Sequence, residues 1–270
     1  SRYGALLWTR DGKSLAFQST QRDGVSNDVW LMDLSAPSSQ RSSQGSSPPP
    51  KSTLLVKSPN GTWWGPVAFN RTQTHLLVQN YISSTDSRIY LKDLKTGELT
   101  QVAGKENAET KESAQESAQD AMSTRNFAID FSADHKGFFY LTDQARDFTQ
   151  LAYQKLDRSS PKMITQEISW DLSYMVLNER GDRGAFVVNE GGSSQLYLFD
   201  PRSHAYQKVP QLPIGIIRDL TFHPKAPSLA FTLNTPQTPS DTFVLNLDPK
   251  EPLRALKLDR WTHSEIGGLD

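Results

Sequence analysis

The chain has 270 residues, 36% hydrophobic and 10% aromatic, enough apolar material to bury a core in one large all-β domain or two smaller ones. Its 29 Lys and Arg against 30 Asp and Glu leave a net charge of −1, which removes any electrostatic case for nucleic acid or an anionic membrane as partner. Cysteine is absent, excluding disulfides, thiolate chemistry and Cys-ligated zinc, and no window approaches the ~20 apolar residues of a membrane helix.

From the N-terminus, an apolar strand Leu6–Trp8, a polar turn Thr9–Lys13 and a second apolar strand Leu15–Phe17 lead to a third strand, Val29–Asp33, that ends in an acid, and to a short fourth, Thr53–Lys57. The pattern returns as Val67–Phe69, turn Asn70–Thr74, Leu76–Val78, Ile89–Asp93 and Leu99–Ala103. The third copy reads Ala128–Phe131, turn Ser132–Lys136, Phe138–Leu141, Leu151–Asp157 and Lys162–Thr165. The fourth reads Met175–Leu177, turn Asn178–Arg183, Ala185–Val188, Leu196–Asp200 and Tyr206–Val209. The fifth reads Leu220–Phe222, turn His223–Pro227, Leu229–Phe231, Phe243–Asp248 and Leu253–Leu258.

Two low-complexity inserts interrupt the copies. Residues 35–52 are Pro/Ser-rich with Pro48–Pro50 at the end, read as a loop between a third and a fourth strand. A polyproline ligand for an aromatic groove is the weaker reading of that run. Residues 104–122 are Ala/Glu/Gln-rich with a net charge of −3, and Glu109, Glu112 and Glu116 would share one helical face, so a solvated helix or loop is expected. Without the inserts and the tail, each copy spans about 44 residues, the size of a propeller blade. The fold class predicted is therefore all-β: a β-propeller of four-stranded antiparallel blades. About five blades are present, at about 3–57, 63–103, 126–165, 168–209 and 214–258. A β-sandwich has no reason to repeat in units of four. Five copies fit either a small closed ring or an open arc of a larger one. The turns Trp8-Thr9-Arg10-Asp11-Gly12-Lys13 and Phe131-Ser132-Ala133-Asp134-His135-Lys136 are variants of one aromatic-Ser-x-Asp-Gly-Lys hairpin.

No catalytic constellation is readable. The string Gly191-Gly192-Ser193-Ser194-Gln195 lacks the last Gly of a nucleophile elbow and lies between two strands. Gly12-Lys13-Ser14 ends like a phosphate loop, but Leu7 stands where that motif needs Gly. His75, His135, His204, His223 and His263 show no metal-ligand spacing, so neither metal nor cofactor is expected. Asn60-Gly61-Thr62 and Asn70-Arg71-Thr72 match the glycosylation acceptor, a short pattern that recurs by chance. Loop carboxylates such as Asp143 leave a propeller glycosidase as a third, weaker reading.

Two segments are distinctive. They are Gln79-Asn80-Tyr81-Ile82-Ser83-Ser84-Thr85-Asp86-Ser87-Arg88-Ile89-Tyr90-Leu91 and the tail Asp259-Arg260-Trp261-Thr262-His263-Ser264-Glu265-Ile266-Gly267-Gly268-Leu269-Asp270. With the strand pattern they resemble the N-terminal propeller of bacterial prolyl oligopeptidase-family serine peptidases, most like the acylaminoacyl-peptidase and dipeptidyl-aminopeptidase-like group. In that family an Arg-Trp-Thr-x-Ser-Glu-x-Gly-Gly-Leu-like string closes the last blade before the chain crosses into an α/β-hydrolase domain. The resemblance implies a propeller over 1–258, a linker beginning at 259–270, and a ring of seven or eight blades. It also implies a catalytic triad beyond Asp270, none of it on this sequence. Its implied partners are the hydrolase domain of the same parent chain and short peptide substrates. The dipeptidyl-peptidase subgroup holds the substrate amine with adjacent Glu residues; no Glu-Glu occurs here, which argues against strict dipeptide release.

On this reading the chain gates access to a serine-peptidase site; the alternative is a TolB-like, non-enzymatic interaction platform. Turns alternate between the two ends of an up-and-down blade. The second-to-third loops and blade crossings share one end, and they hold the gating or interface candidates Arg22, Asp28, Tyr81, Asp86, Arg88, Asp147, Glu190 and Asp241. Arg22 and Arg88 suit a carboxylate of substrate or interface, and Tyr81 suits an apolar wall. The competing reading is that each of these residues serves only its own loop. A cytoplasmic location is expected, with the periplasm open because the start Ser1-Arg2-Tyr3, without Met, looks clipped.

Overall fold

The computed structural model describes residues 1–35, 51–59, 61–105 and 123–264. The Pro48–Pro50 run, the Glu109/Glu112/Glu116 face and the tail past Ser264 lie outside the described residues. Among the described residues the chain forms twenty β-strands and no helix. They make five four-stranded sheets, each with its strands in chain order. The first sheet is β1 to β4 (Tyr3–Trp8, Ser14–Ser19, Asp28–Asp33, Ser52–Val56). The second is β5 to β8 (Trp63–Phe69, His75–Ser83, Asp86–Asp93, Leu99–Ala103). The third is β9 to β12 (Asn126–Phe131, Gly137–Thr142, Gln150–Lys155, Lys162–Met163). The fourth is β13 to β16 (Asp171–Leu177, Gly184–Glu190, Ser193–Phe199, Tyr206–Lys208). The fifth is β17 to β20 (Ile216–Phe222, Ser228–Asn234, Asp241–Leu247, Ala255–Arg260). The last strand thus runs to Arg260, two residues past Leu258.

The chain divides into two compact units. One comprises Ser1–Phe131, His135–Gln144 and Gln154–Ser160; the other comprises Ser132–Asp134, Ala145–Tyr153 and Pro161–Asp270. In the first unit, alternation along β3 sends Val29 toward the second sheet, where it joins Ala16, Trp64, Phe69, Leu76, Val78 and Tyr90 in one core. Trp64 and Tyr90 rings lie 4.7 Å apart there. In the second unit, Val187, Leu196 and Leu198 of the fourth sheet meet Leu229, Phe231, Phe243 and Leu245 of the fifth. Phe231 and Phe243 are direct cross-strand partners, stacked at 5.9 Å. Full burial of each such side chain contributes about 1.5–3 kcal/mol. All six residues of β10 are buried, which explains its unbroken apolar run: strands covered on both faces do not alternate.

Two local devices recur. In every sheet the pairing of first and second strands slips once: between Gly4 and Leu7, Pro66 and Ala68, Ala128 and Asp130, Leu172 and Tyr174, and Arg218 and Thr221. Such a bulge bends the strand and increases its twist. The first hairpin turn also follows a common plan. Gly12 donates its N–H to the Thr9 carbonyl at 2.9 Å, Gln73 to Asn70 at 3.0 Å and Gly181 to Asn178 at 2.8 Å. Their φ angles are 67°, 54° and 65°, the left-handed region.

Candidate functional site

At the end of each sheet where the third strand begins, a hydrogen bond between a side chain and the main chain ties down the chain leading into the following sheet. In the first, second and fourth sheets the side chain is buried and belongs to the third strand, whereas in the third sheet it is the exposed Asp171 of the following strand. In the first unit, Asp28 Oδ1 accepts the Ser58 N–H at 2.8 Å. Ser87 Oγ accepts the Asn126 N–H at 2.7 Å, while Asn126 Nδ2 donates to the Ser87 carbonyl at 2.9 Å. In the second unit, the Thr149 N–H donates to Asp171 Oδ1 at 2.8 Å, and the Ile217 N–H donates to Ser194 Oγ at 3.0 Å.

Asp241, the first residue of β19, is fully buried and does the same for the chain leaving β20. Its Oδ1 accepts the Thr262 hydroxyl and the Ser264 N–H, both at 2.9 Å, and its Oδ2 accepts Arg260 Nη2. Two further bonds close the clasp: the Thr242 N–H donates to the Thr262 side-chain Oγ1 at 2.8 Å, and the Trp261 N–H donates to the Thr242 carbonyl at 2.8 Å. Burial by itself would raise the Asp241 pKa. The bonds from the Ser264 N–H, the Thr262 hydroxyl and Arg260 overcome it and hold the carboxyl down at about 2.

The other sequence candidates fall into several environments. Arg22 and Asp28 engage each other as a fork, Nε to Oδ2 at 2.7 Å and Nη2 to Oδ1 at 3.1 Å. This bond with Asp28 raises the arginine's pKa. Asp86 and Arg88 form a looser pair at 3.7 Å, both largely sheltered, and Asp86 Oδ1 is buried with no hydrogen-bond partner among the described residues. Glu190 ends β14 and accepts the Tyr197 hydroxyl at 3.0 Å and Lys208 Nζ at 2.9 Å. Tyr81 is exposed near the end of β6, and Asp147 is exposed in the loop before β11. Within the first unit the structure brings together the pairs Arg22–Asp28 and Asp86–Arg88. Among the described residues no group of three or more His, Cys, Asp or Glu side chains is placed to hold a metal ion.

Sequence reasoning missed the buried polar residues that do the tying. Gln79 Nε2 donates to the Asn126 carbonyl at 2.8 Å, and Gln79 Oε1 accepts the Ala128 N–H at 3.0 Å. Asn80 Nδ2 donates to Thr62 Oγ1 at 2.7 Å. Their signal was polar residues inside an otherwise apolar second strand, where an unpaired amide would be costly.

No family model matches the chain, and no curated protein matches it in sequence. Solved structures do match in shape. Prolyl oligopeptidase B from Galerina marginata, solved free and bound to a 35mer hydrolysis and macrocyclization substrate, superposes in its free form with a TM-score of 0.71 at 10% identity, covering 98% of this chain and 34% of that one. Prolyl endopeptidases studied for the role of inter-domain dynamics in catalysis and specificity give 0.69 at 13% identity, covering 96% and 35%. TolB from Acinetobacter baumannii gives 0.58 at 16% identity, covering 91% and 52%. The fold is that of a β-propeller. The chain spans a third to a half of the length of these relatives.

The propeller's third-strand ends also collect exposed apolar side chains. In the first unit these are Tyr3, Val25, Tyr81 and Phe127. In the second they are Trp170, whose ring lies 6.4 Å from Phe148, together with Ile214 (75% exposed), Ile216 and Trp261 (70% exposed). The opposite ends expose fewer: Trp8, Leu34 and Leu256. Large apolar groups held in water at the third-strand ends within a unit suit a surface that meets another protein.

Proposed function

We propose that this chain is the propeller of a prolyl oligopeptidase-like serine peptidase. It docks on an α/β-hydrolase domain through its third-strand ends and limits access to short peptides. The observation that carries the reading is the Asp241 clasp, which holds Arg260, Thr262 and Ser264 at the same end that exposes Trp170, Ile214 and Trp261. A chain held there delivers whatever follows it to the apolar end. The prolyl oligopeptidase matches, each about three times as long as the part covered, support a larger parent. Catalysis then belongs to the partner domain, and the propeller contributes geometry and exclusion.

A TolB-like interaction platform is the second reading, supported by the match to A. baumannii TolB. The parent reading frame and an activity assay separate the two. A Gly-x-Ser-x-Gly string within a few hundred codons after Asp270, peptidase activity in the parent and none in residues 1–270 are the expected results. A stop codon at that point favours the platform. Robust hydrolysis of chromogenic peptide esters by residues 1–270 alone overturns both.

A further inference from the structure

The hairpin-turn end of the second unit contains a cleft of about 190 Å³ between the turn Asn178–Arg183, the turn His223–Pro227 and Pro249. Its lining carries three permanent cations, Arg180, Arg183 and Lys225, against one acid, Glu179. Arg183 is fixed in place by donating Nη2 to the Pro249 carbonyl at 2.8 Å. Its Nη1 is buried and has no hydrogen-bond partner among the described residues. A guanidinium nitrogen removed from water without an acceptor is a destabilising arrangement that native proteins rarely leave unanswered.

His223 adds a directed donor. Its Nδ1 accepts the N–H groups of Lys225 at 3.0 Å and Ala226 at 2.8 Å. A ring that accepts at Nδ1 carries its proton on Nε2. The side chains of Arg180 and Lys225 are exposed and make no hydrogen bond or ion pair among the described residues. The walls come from Phe222, Pro224, Pro227 and Pro249, and the prolines bring rigidity and no N–H of their own.

We infer that this cleft binds a compact oxyanion, a phosphate or a carboxylate. Three cations and an imidazole N–H facing a space of this size favour one small anionic group over an apolar ligand, a cation or a nucleotide. Arg183 supplies charge from the floor, while Arg180, Lys225 and His223 Nε2 supply the contacts at the mouth. Guanidinium geometry suits either anion. The site stands on the turn end, away from the third-strand end, and does not depend on the peptidase reading.

The test is calorimetric titration of the 270-residue chain with inorganic phosphate and, separately, with acetate, at constant ionic strength. Saturable one-site binding is expected. The double variant Arg180→Gln/Lys225→Gln, which removes two exposed and unpaired cations and leaves the fold intact by circular dichroism, should weaken it at least ten-fold. Saturation by phosphate assigns a phosphate source; saturation by acetate alone assigns a carboxylate and equally supports the site. No saturable binding of either anion, or binding unchanged in the double variant, overturns the inference.

Discussion

Gln73 has a φ of 54° in a turn whose counterparts in the first and fourth sheets use Gly12 and Gly181. A left-handed conformation costs an L-residue roughly 1–2 kcal/mol, and glycine's greater freedom in the unfolded chain gives back only about 0.4–1 kcal/mol of that difference. Gln73→Gly should therefore stabilise the protein by up to about 1 kcal/mol, read as a higher urea midpoint at unchanged m-value. The mirror change, Gly12→Ala, should lower the midpoint. A Cβ at Gly12 meets nothing within 4 Å, so its effect isolates the backbone conformation from packing. A midpoint that stays level or falls for Gln73→Gly means the turn gains something from the glutamine that offsets its strain.

At the scale of the element, the polar ties at the third-strand ends decide how one sheet leads to the next, and the Asp241 clasp is the one whose charge can be tested. Its folded pKa of about 2 lies below the ~3.9 of an unfolded Asp. The ionised form is thus favoured by folding. Its contribution is fully present above about pH 4 and is lost as the pH falls toward 2. Hydrogen exchange at the Trp261 and Ser264 amides, corrected for intrinsic rates, should show constant protection from pH 7 to 5 and declining protection below about 4. Asp241→Ala should lower protection on the order of ten-fold at neutral pH and abolish the acid dependence. Protection that survives the substitution would show that the tail is held by backbone bonds alone. Much of the element level was legible beforehand. Apolar strands of β2, β6, β10, β14 and β18, separated by turns with Asp, Asn and Gly, announced repeated four-stranded sheets. Less legible were contacts that depend on register. Glu190 reads as a loop acid, yet it closes β14 and reaches Tyr197 and Lys208 only because β14, β15 and β16 align side by side. The first-strand bulges also escape periodicity, since one extra residue leaves both halves of the strand apolar. Gln79, Asn80 and Ser87 stand beside the more conspicuous Tyr81, Asp86 and Arg88, and their burial follows from neighbouring sheets that no local pattern reveals.

At the scale of the whole molecule, the net charge of −1 gives no long-range pull toward any partner, so the docking proposed above would rest on shape and apolar contact. The two ends of the sheets differ in what they offer. The third-strand ends present Val25, Tyr81, Trp170, Ile214 and Trp261, whereas the hairpin ends set Trp8, Leu34 and Leu256 among polar turns such as Asp11-Gly12 and Lys95-Thr96-Gly97. Burying an exposed aromatic or branched side chain contributes about 1.5–3 kcal/mol, so several together support a stable interface, although lost translational freedom absorbs part of that gain. If the hydrolase domain docks as proposed, hydroxyl-radical footprinting of the parent protein should show Tyr81, Trp170, Ile214 and Trp261 protected relative to residues 1–270 alone. Trp8 and the turn residues should label equally in both. Protection confined to Trp8 and the turns Thr9–Lys13 and Asp93–Gly97 would reverse the assignment of the ends, because a partner seated there would leave Trp261 and its neighbours in water in the assembled protein as well.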